Sequence, residues 1–530
     1  MQTTRLTVFV FTIAGLLVIS RPAAGQEEGV GFSSDELLNK SAVVARVGPL
    51  KITAEEFRLS YEFGPAFAKR ASDARQRYLG YMINEKLLAL DAAARRRQVI
   101  PLIEPALAEI EGDLATEELY KDDVQSKVKV SGVEIAAGIE QSKRHLTLQW
   151  IFALSQNEIN SHAVMLRSGA SFDSLYRLQG PDSLLAANRS LESSLFKIRM
   201  KNGPIGTVAD TLKPGSSSEP LKGPDGWYIL HVVDGSRDLI TTQSDEGKLH
   251  NDVYRALLQQ KSDSVSQDYV NALLTRHQPT IVPGTFDLLS SYLALKHLDP
   301  EEIREWELIG PKGSTRDSAS LEAIEELAKE TLVTLSGGSK IPLQDFLTWY
   351  RNRETLIKVR KSSKQAYLVS LQQMIWQMVR DRLLVQRARE RNLQARESVR
   401  TQKKWWEEKL LYEAEKKLIV GSISFQDSML LAYFGENRRR YMDARGAPAT
   451  FSDARDDVLR DFYEYELTKR ILHRINALKE KYPVAIDDGV LARIPVEGDP
   501  TAVEVYTVKK GGTFPRPAFP VIDQMWRTWN

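Results

Sequence analysis

The sequence predicts a mostly α protein that carries one inserted α+β domain. Three observations lead there. Apolar residues recur at helical spacing in two separate stretches, one near residues 76–98 and one near 371–384. The blocks around those stretches recur in the same order, as if one helical unit were written twice. The first copy is interrupted. In the second copy Tyr441 leads almost directly to the closing segment at Phe451, whereas in the first the equivalent step runs from His145 to about Ser244. Residues 146–237 fill that gap, and they begin and end as strands.

The elements follow in order. Arg5 precedes an apolar run, Leu6 to Ile19, that is too short to span a bilayer comfortably. Ser20-Arg21-Pro22-Ala23-Ala24-Gly25 follows, with small residues where a signal peptidase reads. Residues 1–25 are therefore expected to be a cleaved signal peptide. No later run is apolar enough for a membrane span, so no stable membrane insertion is expected. The 530 residues contain no Cys. This excludes disulfides, thiolate nucleophiles and Cys-bound metals, and for an exported chain of this size it points to a bacterial periplasm. There are 72 Lys+Arg against 70 Asp+Glu. Loss of Arg5 and Arg21 would bring the balance to zero, which gives no case for nucleic acid.

Ala42 to Val47 alternates loosely and ends in a turn at Gly48-Pro49, and Lys51 to Phe57 reads as a strand end running into a helix with Thr53 as its N-cap. Leu79, Met82, Ile83, Leu87 and Leu90 mark one face of the next helix. The same pattern returns at Val333-Thr334-Leu335, Gly337-Gly338 and Lys340 to Phe346, followed by the stripe Leu371, Ile375, Met378 and Val379. Met82 to Leu88 aligns with Met378 to Leu384, and Glu118-Leu119-Tyr120 with Leu410-Leu411-Tyr412. Both copies close alike. Asp252-Val253 and Asn271-Ala272-Leu273 match Asp457-Val458 and Asn476-Ala477-Leu478 without a gap, and a short extended piece follows each. The expected domains are thus a first helical unit split into 42–145 and 244–290, the insert 146–237, a linker 291–331, a second helical unit 332–495 and a tail 496–530.

Within the insert, Leu146 to Leu154 is strand-like, Phe172 to Leu178 helical, Lys213-Pro214-Gly215 a turn, and Trp227 to Val233 a closing strand. Ser171-Phe172-Asp173-Ser174-Leu175, Leu212-Lys213-Pro214-Gly215 with Ser218-Glu219-Pro220, and Gly226-Trp227-Tyr228-Ile229-Leu230-His231 resemble the PpiC-like parvulin family of peptidyl-prolyl isomerases. The flanking helical unit resembles the SurA-like periplasmic chaperones that carry such domains, and the second helical unit resembles that unit alone. The resemblance implies a folding chaperone for unfolded or nascent exported polypeptides, outer-membrane proteins among them, and it implies no cofactor and no metal. It also implies where a catalytic site would sit. Active parvulins carry a His in the first strand and another in the closing strand; Trp150 and Tyr228 stand at those positions here. His231 lies three residues beyond Tyr228, on the other face of an alternating strand. Rotation about an X–Pro bond crosses about 18–20 kcal/mol without proton transfer, so an apolar slot alone can still bind proline. Trp150, Phe196, Met200, Ile205 and Tyr228 are the candidate walls of such a slot.

Two other readings stay open: an active isomerase with an altered slot, and a structural subunit that docks an envelope-assembly partner. Seven His form no His-x-x-x-His pair, and no phosphate-loop or nucleophile-elbow pattern occurs. Trp376 is expected in the core of the second unit. Trp405 and Trp406 are adjacent on a helix, so at least one is expected to be exposed or to line a groove.

Overall fold

The computed structural model describes residues 39–179, 189–223, 225–238, 243–308, 327–354, 357–442, 446–447, 449–496 and 516–528. The expected signal peptide and residues 497–515 and 529–530 of the expected tail lie outside them. The architecture is mostly helical with three small antiparallel sheets. It falls into two compact units, Met1–Leu119 with His277–Asn530, and Tyr120–Arg276.

In chain order the first unit opens with β1 (Val43–Val47), β2 (Leu50–Thr53), α1 (Ala54–Glu62), α2 (Ala74–Ala94) and α3 (Arg96–Asp123), whose end from Tyr120 belongs to the second unit. The second unit continues with α4 (Gly132–Ser142), β3 (Arg144–Ala153), α5 (Gln156–Arg167), α6 (Phe172–Leu178), β4 (Ser190–Ser194), α7 (Leu195–Lys201), α8 (Gly203–Thr211), β5 (Leu221–Lys222), β6 (Trp227–Arg237) and α9 (Gln243–His277). The chain then returns to the first unit through β7 (Thr280–Ile281), α10 (Pro283–His297), α11 (Pro300–Glu305), β8 (Thr331–Thr334), β9 (Lys340–Pro342), α12 (Leu343–Arg351), α13 (Lys364–Glu390), α14 (Glu397–Gly421), α15 (Asp427–Asn437), α16 (Phe451–Lys481), β10 (Val484–Ile486) and α17 (Asp488–Arg493). The stretch 291–331, expected as a linker, thus includes the end of α10 and all of α11, with Leu293, Leu298 and Ile303 buried.

Local chemistry sets these elements where the sequence places them. Thr53 caps α1, its Oγ1 accepting from the Glu56 amide at 3.2 Å. Gly48 turns the first hairpin at φ +53°, a region a β-carbon resists. A helix expected over 76–98 ends earlier, at Ala94. Arg95 leaves the helical conformation, and its amide bonds back to the Ala92 carbonyl. The Arg95 guanidinium meanwhile pairs with Glu415 and Asp91.

The two hairpins of the first unit are each completed from a distant part of the chain. β1–β2 gains β10 as a third strand, with Ala45 opposite Ile486 and Val47 opposite Val484. β8–β9 gains β7, with Thr280 opposite Thr334. The main core of this unit joins Val44, Ile52, Phe57 and the α2 stripe to Tyr412 of α14, Ile471, Ile475 and Leu478 of α16, and Leu491 of α17. The stripes Leu79–Leu90 and Leu371–Val379 are buried throughout. Trp376 is only half-buried, and Trp349 of α12 is the buried tryptophan there, its Nε1 donating to Asp381 at 2.9 Å.

Neither Trp405 nor Trp406 is exposed, but Trp405 lines a cavity, the second of the two placements expected for that pair. α14 has neighbours on two sides. Trp406 packs with Ile110 and Leu114 of α3, while Trp405 lies in a cavity wall beside Met82 and Lys86 of α2. Residues about 100° apart on one helix therefore enter two different interiors.

Inside that packing Lys86 is buried and pairs with both Glu56 and Glu408. Removing the cation would strand two buried carboxylates. Lys86→Ala is expected to destabilise the chain by about 3–5 kcal/mol in urea unfolding. An unchanged midpoint and slope would show that the triad contributes nothing.

Candidate functional site

The second unit is built on a four-stranded antiparallel sheet, order β4-β3-β6-β5. Its central pair sets Trp150 opposite Leu230, Ile151 opposite Ile229, Phe152 opposite Tyr228 and Ala153 opposite Trp227. Alternation then separates two faces. On one, Ile151, Ala153 and Ile229 are covered by Ile159 and Ala163 of α5 and by Phe172, Leu175 and Tyr176 of α6. The opposite face is covered only in part. Leu146, Leu148 and Val232 lie under Leu195 and Ile198 of α7 and Ala209 of α8. Beyond them, Trp150, Phe152, Tyr228 and Leu221 remain half-exposed around the buried Leu230.

That half-exposed aromatic end is the candidate site. The Phe152 and Tyr228 rings lie 5.1 Å apart at 59°, a tilted pairing worth about 0.5–1.5 kcal/mol beyond burial. Two glycines let the β5–β6 loop lie against them. A β-carbon on Gly226 would stand 2.4 Å from the Phe152 ring, and one on Gly223 2.5 Å from the Tyr228 ring. The Tyr228 hydroxyl donates to Asp225. Burial, with the Asp225 carboxylate beside it, pushes the phenol up from its ordinary value, so it stays protonated at neutral pH. Backbone order at the rim comes from Gln179. Its Oε1 accepts from the Phe152 amide at 3.0 Å and its Nε2 donates to the Phe152 carbonyl at 2.7 Å, as a neighbouring strand would. Arg189 donates to the Tyr176 carbonyl and covers the Tyr176 ring at 4.3 Å, and its own carbonyl accepts from the Trp150 amide.

The five expected slot residues are placed as follows. Trp150 and Tyr228 share the open face. Phe196 and Met200 do not; they point from the other side of α7 into a cluster with Ile135 of α4 and Val253 of α9. Ile205 packs against the helical cover over Leu146 and Leu148. The pattern in α7 explains this. Leu195 and Ile198 form the sheet-facing side, so Phe196 and Met200, four apart, form the other. Sequence reasoning missed Phe152, Leu221 and Leu230. Two-residue alternation from Trp150 and from Tyr228 was the signal for Phe152 and Leu230.

His231 lies on the α6-covered face. Its ring stacks on Phe172 at 4.4 Å and 17°, and its Nδ1 is 2.9 Å from the Ser217 hydroxyl. The open face therefore holds aromatic and aliphatic surface with one neutral phenol. This chemistry can seat a proline ring or another apolar side chain but has no imidazole to order a polar network. Among the described residues no group of three or more His, Asp or Glu could hold a metal ion, and no helix is long and apolar enough to cross a membrane.

No protein-family model and no curated protein sequence matches the chain. Solved structures similar to it are parvulin-type isomerases. A PpiC-type peptidyl-prolyl cis-trans isomerase domain is 20% identical, covering 19% of this chain and 99% of that one, at a TM-score of 0.16. The peptidylprolyl isomerase PrsA of Bacillus anthracis is 16% identical, covering 36% and 96%, at 0.22. PrsA of Bacillus cereus is 15% identical, covering 44% and 93%, at 0.24.

Burial lowers the pKa of His231 below its ordinary 6.5, opposed by Asp173. The unfolded chain accepts that proton first as pH falls. The neutral ring thus contributes stability that is full above 6.5 and is lost as pH drops through 6.5 toward the folded value. Thermal unfolding between about pH 7 and 5 should show less acid destabilisation in His231→Phe than in the unchanged protein. Parallel pH slopes would contradict this.

Proposed function

We propose that the chain is an exported folding chaperone of parvulin type that binds unfolded or newly secreted polypeptides, outer-membrane proteins among them, in a bacterial periplasm. On this reading residues 1–25 are removed on export. Residues 42–145 with 244–290, and residues 332–495, are two related SurA-like helical units, and 146–237 is a parvulin-like domain inserted in the first. The observation that carries the reading is the half-exposed face of Trp150, Phe152 and Tyr228, with Leu230 at its floor. An extended chain with proline or aromatic side chains can bury apolar area there.

The same face argues for binding over catalysis. Accelerating X–Pro rotation requires that the twisted amide be held better than the planar one. Flat aromatic walls and a hydroxyl already donated to Asp225 offer both states much the same contacts. The protein is therefore expected to leave X–Pro exchange in a short peptide at its uncatalysed tens to hundreds of seconds. Clear acceleration that falls in Tyr228→Ala would install the isomerase reading instead.

Binding is tested separately. A fluorescent proline-containing peptide titrated into Trp150→Ala should bind about tenfold more weakly than to the unchanged protein, the loss of about one aromatic contact. Equal affinities would remove this face from the function.

A further inference from the structure

Residues 516–528 cross the first unit as a strap that is non-helical to Asp523 and ends in a 3-10 turn, Gln524–Thr528. Side chains hold it at regular intervals. Arg516 is buried, its Nε donating to Asp113 and its second terminal nitrogen to Glu117, both at 2.8 Å. Phe519 meets the Phe63 ring at 5.3 Å. The Asp523 amide donates to Glu85 at 2.7 Å, and its carboxylate accepts from Tyr412 and pairs with Lys416. Trp526 is fully buried, stacked on Tyr81 at 5.5 Å, with Nε1 donating to Glu85 at 2.9 Å. Asp113 and Glu117 take the cation at one end, while Glu85 and Lys416 take Trp526 and Asp523 at the other, which fixes the direction of an occupant.

The fit is incomplete. Beneath Pro520–Ile522 a cavity of about 30 Å³ remains between Glu56, Ser60, Met82, Lys86, Trp405 and Glu408, room for a water or two. Glu56 is 6% exposed, and its Oε2 has no hydrogen-bond partner there. Proline and valine at 520 and 521 have no side-chain donor to give it. A chain with a hydroxyl or an amine at that point would satisfy the oxygen that the strap leaves bare.

We infer that the strap is a displaceable stand-in for a ligand: the groove formed by α2, α3 and α14 is a binding site for extended polypeptide bearing a cation, then apolar residues with proline, then a tryptophan or similar aromatic, and residues 516–528 close it from within. That the competing polypeptide is an unfolded client rests on the function proposed above. The groove and its closure do not.

The test uses the full chain and a fluorescein-labelled peptide of the strap itself, residues 516–528, read by anisotropy. Arg516→Ala/Trp526→Ala releases the internal strap and should bind the peptide at least tenfold more tightly than the unchanged chain. The same peptide carrying Trp526→Ala should not bind. A folded double variant that ignores the peptide overturns the inference. Hydrogen exchange on the unchanged chain decides independently of that variant's folding. Amides of the strap should exchange at least a hundredfold faster than those in the middle of α2 and α14, because a displaceable strap opens without global unfolding. Exchange of the strap together with those helices overturns the inference. Peptide capture needs no client, so a chain that takes the peptide yet fails to suppress aggregation of unfolded protein sinks the chaperone proposal alone. One that suppresses aggregation while its released groove ignores the peptide sinks this inference alone.

Discussion

The pairing of β1 with β10 is the constraint on which the larger unit depends. A lone two-stranded hairpin is marginal in water, and β1–β2 is short. It gains a third strand only when the chain returns after α16, so Ala45 meets Ile486 across most of the sequence. That closure places α16 and α17 against α2 and β1, and the core of this unit is drawn from both ends of the chain. β8–β9 meets the same requirement with β7. The buried Lys86, shared by Glu56 of α1 and Glu408 of α14, follows from this closure. Two carboxylates from distant segments converge only where the helices already pack, and the cation between them makes that convergence tolerable.

The second unit solves a different problem. Its sheet has apolar residues on both faces, and each needs cover. α5 and α6 cover one face along its apolar length, while α7 and α8 cover only half of the other. The uncovered half is aromatic, and glycines at 223 and 226 hold the loop backbone against those rings. A half-exposed apolar surface of this kind is the one that the proposed binding would use. The inward side of α7 stabilises the sheet, and its outward side, Phe196 and Met200, joins α4 to α9. One short helix thus serves two cores.

Much of the local structure was legible. Thr53 as a cap, the α2 and α13 stripes, the helix Phe172–Leu178 and the strand beginning at Trp227 follow from capping chemistry and periodicity, which act within a few residues. The candidate site was legible in part. Trp150 and Tyr228 stand where the resemblance to parvulins implies a site, and strand alternation then puts them on one face. Phe196, Met200 and Ile205 were grouped with them on apolar character, which does not say which of two interiors a side chain enters. Trp405 and Trp406 show the same gap: adjacent residues on a helix point to different neighbours, and only the neighbours decide burial.

The sequence by itself determined a mostly helical chain with one α+β stretch, its caps and helix stripes, and the lack of cysteine, because each is set by composition or by contacts near in the chain. Tertiary structure alone decided that the hairpins are completed by strands far away, that three expected slot residues pack elsewhere, and that residues 516–528 lie in a groove they incompletely fill. Those outcomes depend on which surfaces meet, and surfaces separated by tens to hundreds of residues leave no periodic trace in the chain that encodes them.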